Sequence, residues 1–138
     1  MPFMTFDAPV APDDRIVGQE PPPGRELAQL LSRGIAAAGF AIVDPVSQHD
    51  SYGWSFEVDA GEGQHVRCML QLSDNWLVIT QPEVPLIRRL FGRGVSPGAD
   101  RQFALALMAV ARSASEISNV RWFKTEDDFR RGRDGGPA

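Results

Sequence analysis

Few residues of this chain have the types and spacing that chemistry needs. It holds two histidines, His49 and His65, and one cysteine, Cys68. His65-Val66-Arg67-Cys68 has an H-x-x-C spacing. In a strand, an offset of three puts the two side chains on opposite faces, so they cannot share a metal ion. Structural zinc wants four ligands in close pairs, and His49-Asp50 does not complete such a set. No metal and no cofactor are expected. Cys68 falls on the apolar face of an alternating stretch, where burial raises a thiol pKa, the reverse of what a nucleophile requires. No serine sits in a G-x-S-x-G elbow, and no catalytic residue is assigned. Glu57, Asp59 and Glu62 cluster near one hairpin and could do acid–base work. The solvated side of a strand and its turn accounts for them as well, and is preferred.

Arginine carries the remaining polar chemistry. The chain has 13 arginines and one lysine, Lys124. A guanidinium fork suits carboxylates and phosphates. His65, Arg67, Arg88 and Arg89 form the candidate anion-binding set, expected between a sheet and a short helix at 85–91. Arg121, Lys124, Arg130, Arg131 and Arg133 form a second basic group around Trp122 and Phe123, interrupted by Glu126, Asp127 and Asp128. Phe91-Gly92-Arg93-Gly94 is glycine-rich, but it follows a helix and lacks the lysine of a phosphate loop. The net charge of −4 opposes nucleic-acid binding through bulk positive charge. That sum hides a division: residues 1–81 carry a net −7 and residues 82–138 a net +3.

Positioning these residues calls for a folded domain, and 138 residues suffice for one. The single cysteine excludes a disulfide framework and points to a reducing compartment. The start lacks the pattern of a secretory signal, and the longest apolar run, Phe103 to Ala111, is far too short to cross a bilayer. A bacterial cytoplasmic location and no membrane partner are expected. Six of the eleven prolines lie in residues 1–23. Residues 1–24 therefore read as a loosely ordered tail, with Phe3, Phe6 and Ile16 able to pin part of it down, and 132–138 as a polar tail.

The domain between them, 25–131, has clear periodicities. Leu27, Leu30, Leu31, Gly34, Ile35 and Ala38 form one helical stripe, predicting a helix over 25–38 that Gly39 ends. Phe40 to Val43 reads as a short strand that stops before Asp44-Pro45. Tyr52 to Val58, then Val66 to Leu72, alternate with period two, and Trp76 to Thr80 is apolar on both faces. Together they predict a meander of three strands over 52–80, ended by Pro82. Helices follow at 85–91 and 99–115, then a strand at 119–123 and a helix at 126–131 capped by Thr125. The fold class expected is α+β: an antiparallel sheet of four to five strands, with helices 25–38 and 99–115 on one face.

Helix 99–115 carries two apolar stripes. Phe103, Ala106, Leu107, Val110, Ala111 and Ala114 make the first, and Leu105, Met108 and Ala109 a second. A helix apolar nearly all round is covered on more than one side. The second stripe, with Arg112 at its edge, is the expected interface, and pairing with a second copy is its simplest use.

This order of elements resembles that of secretion-chaperone-like α+β domains. The resemblance covers about Arg25 to Arg131 and rests on element order, size and charge. It implies a small acidic dimer that binds an unfolded segment of a protein partner, and it assigns no functional residue. An immunity protein that neutralises a toxin has a similar profile. The function expected is a non-catalytic protein-interaction module, dimeric, that binds a partner in a chaperone-like or immunity-like way. The alternative is a small enzyme or anion-binding domain using His65, Arg67, Arg88 and Arg89.

Overall fold

In the computed structural model, residues 2–9, 22–49, 53–61, 63–73, 75–83 and 97–132 are described. The helix expected at 85–91, with Arg88 and Arg89, lies outside them, as do Arg93, Ile16 and 133–138. Among the described residues nine elements follow one another: β1 Phe3–Asp7, α1 Arg25–Ala37, β2 Ala41–His49, β3 Gly53–Gly61, β4 Gln64–Leu72, β5 Trp76–Glu83, α2 Pro97–Ser113, β6 Ser118–Phe123 and α3 Glu126–Arg130. The six strands form one antiparallel sheet in the order β2-β3-β4-β5-β1-β6. The class is α+β, with one strand more than the upper estimate.

The extra strand is β1, in a segment that the sequence assigns to a tail. Met4 and Phe6 turn to one side and Phe3 and Thr5 to the other, and all four are buried. Burial on both faces removes the alternation that marks a half-exposed strand, so proline content dominates the local pattern. β1 lies between β5 and β6, with Phe3 opposite both Ile79 and Phe123. The Pro2 carbonyl anchors its start by accepting from Thr80 N at 3.1 Å and Thr80 Oγ1 at 2.9 Å.

Two strand limits also differ from expectation. β2 runs on through Pro45 to His49, with register shifts on either side of Asp44. It is the first strand of the sheet, and an edge strand tolerates a residue that cannot donate to a ladder. β5 continues past Pro82 to Glu83, with Pro82 opposite Val66.

The inner face packs Phe56, Val58, Val66, Cys68, Leu70 and Val78 against Leu31 and Ile35 of α1 and Phe103 and Leu107 of α2, in one buried cluster. Burying each such side chain stabilises the fold by about 1.5–3 kcal/mol. The two helices come together at Gly34, where an added Cβ would run into the Val110 side chain. A glycine there sets how closely α2 lies on α1. The indoles tie chain ends to this layer: Trp54 Nε1 donates to the Pro22 carbonyl at 2.8 Å and Trp76 Nε1 to the Ala8 carbonyl at 3.3 Å. Gly24 opens α1 at a φ of 110°, and a Cβ on it would lie 2.8 Å from the Trp76 ring.

The short helix α3 packs on the other face. Phe129 meets the rings of Phe3 and Phe123 edge-on, each with centroids 5.2 Å away. Thr125 caps it as expected, its hydroxyl accepting from Asp128 N at 3.1 Å. No helix among the described residues is long and apolar enough to cross a membrane.

Candidate functional site

The outer sheet face carries the polar residues singled out in the sequence. Strand register assembles them in rows. Asp44, Glu57, Arg67 and Gln81 lie in one row across β2 to β5. Asp59 and His65 flank it in the next. On the other side, Ser47, Ser55, Met69, Ile79, Phe3 and Phe123 cross the whole sheet. The face therefore grades from charged at β2–β4 to aromatic at β1–β6.

Arg67 is the hub of the charged end. Its Nη2 donates to Glu57 Oε1 at 3.1 Å and lies 3.4 Å from Asp44 Oδ2. Its Nη1 lies 3.4 Å from Ser55 Oγ. His65 Nδ1 stands 3.4 Å from Glu57 Oε2, on the far side of the same carboxylate. The Glu57 side chain is only 9% exposed, whereas that of Asp44 is 47% exposed. Glu57 is thus not on a solvated strand face, as the sequence suggests; a buried carboxylate is tolerated because a cation meets it. Asp59 keeps a turn role, its Oδ1 accepting from Gly61 N at 2.8 Å.

This arrangement bears on anion binding. Two members of the expected set, His65 and Arg67, come together on β4. The guanidinium fork already faces two carboxylates, those of Glu57 and Asp44. Arg88 and Arg89, the other two members of the set, lie outside the described residues.

Cys68 lies on the opposite face from His65, fully buried in the core. Burial pushes its thiol far above the ordinary range, so it is held as the neutral thiol. The sequence anticipates both features. Among the described residues no group of three or more histidine, cysteine or acidic side chains is placed to hold a metal ion.

No protein family, curated protein or solved structure matches this chain. Its surface must speak for itself, and the expected interface on α2 is the second region to consider. Leu105 is 46% exposed, and Ala109 and Arg112 are exposed beside it. Met108 is not with them. It is buried in the core with Ala104, so it leaves the expected interface. The reason is the width of the buried arc: α2 beds against both the sheet and α1, and the arc extends from Phe103 and Ala104 to Leu107, Met108 and Ala111. The outward stripe that remains is Leu105, Ala109 and Arg112, bordered by Arg101, Gln102 and Glu116, all exposed.

The second basic group of the sequence is partly neutralised from within. Arg130 pairs with Glu126 at 2.8 Å and Arg131 with Asp127 at 3.3 Å, both at helical i,i+4 spacing. Arg121 lies over the Phe123 ring, 5.6 Å from its centroid. Two of the acidic residues that interrupt this group in the sequence, Glu126 and Asp127, are thus its partners in space.

Proposed function

We propose that this protein is a non-catalytic protein-interaction module that docks through the outward face of α2. The observation that carries the proposal is Leu105, a large aliphatic side chain 46% exposed on a helix whose other side is core. Exposed leucines are common singly. This one stands in a line with Ala109, between charges that have no ion-pair partner among the described residues, the pattern of an apolar centre with a polar rim. Two positive findings turn the reading away from chemistry. Arg67 is engaged by carboxylates, and Cys68 is buried as a thiol. The thiol state suits a reducing bacterial cytoplasm, where a chaperone-like or immunity-like partner protein would work.

The test compares three baits, wild type, Leu105→Glu and Val43→Glu, in a pull-down read for stoichiometric capture. Val43 is a matched control, being about as exposed on β2. The proposal expects capture by wild type and Val43→Glu and its loss with Leu105→Glu. Capture that ignores position 105 would overturn it.

A further inference from the structure

We propose that the occupant of the α2 face is a second copy of this chain, the two helices running antiparallel about a twofold axis near Ala109. This rests on the docking reading above and adds the identity of the partner. Gln102, Leu105, Ala109 and Arg112 recur at steps of three, four and three, and Glu116 lies in the turn just past the helix. All five are exposed. Alternating steps of three and four are how two helices meet along a shared line.

A twofold contact requires the surface to complement itself. Here the charges decide the direction. Arg101, Arg112 and Glu116 have no ion-pair partner among the described residues. A parallel pairing sets Arg101 against Arg101, Arg112 against Arg112 and Glu116 against Glu116, which is repulsive throughout. The antiparallel pairing sets Arg101 and Gln102 beside the partner's Glu116 at both ends. At the axis Ala109 faces the partner's Ala109, small enough for close approach. Leu105 then lies beside the partner's Ser113 and the aliphatic stem of its Arg112, which covers apolar surface while its charged end stays in water. Each protomer contributes a single large apolar side chain, so the association is weak and depends on concentration.

Sedimentation equilibrium of the full chain, from micromolar to millimolar concentration, tests this. Wild type is expected to pass from monomer to dimer. Leu105→Glu should raise the dissociation constant about tenfold or more. Arg101→Glu and Glu116→Arg should each raise it ~3-fold, and the double variant should recover most of the loss, since it restores the pair with its signs exchanged. All three positions are exposed, so the variants keep the fold. A wild type that stays monomeric at millimolar concentration overturns the second-copy proposal, as does a double variant no better than the singles. If wild type is monomeric while the pull-down above still depends on Leu105, the docking reading stands and only the partner is wrong. If neither measurement depends on Leu105, both readings fall.

Discussion

Two outward-facing regions of this protein bear arginines, and they treat them differently. On the outer sheet face, Arg67 is drawn to Glu57 and Asp44, and His65 closes on the same glutamate. On α2, Arg101 and Arg112 are exposed along with Leu105, and Glu116 is exposed in the turn just past the helix. The first region satisfies its charges within one chain. The second leaves an apolar side chain and charges that have no ion-pair partner among the described residues, and these are what the proposed second copy would complement. Arginine content in the sequence does not separate these cases; strand register and helix facing do. A surface ready for a partner is one whose groups are not already used by the fold.

Breaking the first region should give the largest effect on stability. Arg67→Ala takes a cation from the buried Glu57 and should cost about 3 kcal/mol, read as a lower urea midpoint. It should leave association through α2 unchanged in the folded protein. Gly34→Ala comes next. It presses a methyl group into Val110 where α1 meets α2 and should cost about 1–3 kcal/mol by overpacking. Because it shifts the helix that carries Leu105, it should also disturb docking, which Arg67→Ala does not.

Asp44 sharpens the contrast inside the cluster. Its side chain is 47% exposed, so Asp44→Asn should cost no more than ~1 kcal/mol even though it removes an ion pair of Arg67. A loss as large as that of Arg67→Ala would mean that Asp44, and not Glu57, is the principal partner. Leu105→Glu should have the smallest effect on stability, within about 0.5 kcal/mol, and the largest on association.

Cys68 provides a check through pH. Its folded pKa is raised by burial, so the stability it contributes is fully present below the ordinary thiol value of 9.0 and falls as pH rises above it. Stability should therefore decline in the alkaline range, and Cys68→Val should flatten that decline. An unchanged alkaline slope in Cys68→Val would show that the thiol is not the group responsible.

Much of the fold was legible because burial was one-sided. Val66, Cys68 and Leu70 alternate with Arg67 and Met69, and Leu31 and Ile35 recur at helical spacing, so the meander and α1 stand out. β1 did not, since Phe3, Met4, Thr5 and Phe6 are all buried and carry no alternation. Met108 misled for a related reason: the pattern shows that α2 is apolar nearly all round, but only packing against both α1 and the sheet shows where its buried arc ends. Of the site, the facing of His65 and Cys68 followed from period two. The partnership of Glu57 with Arg67 was missed, although the turn around Gly61 and Gly63 sets these two residues opposite each other across β3 and β4. A hairpin register drawn from that turn would have paired them, and with them Asp59 and His65.

Solvent footprinting of Val43, Leu105 and Phe129, the three exposed large hydrophobics among the described residues, tests the docking claim most directly. Hydroxyl radicals oxidise each side chain according to its exposure, at low protein concentration and then under conditions of association. The account predicts that Leu105 becomes protected while Val43 and Phe129 keep their reactivity. Protection at Val43 or Phe129, with Leu105 as reactive as before, would contradict it.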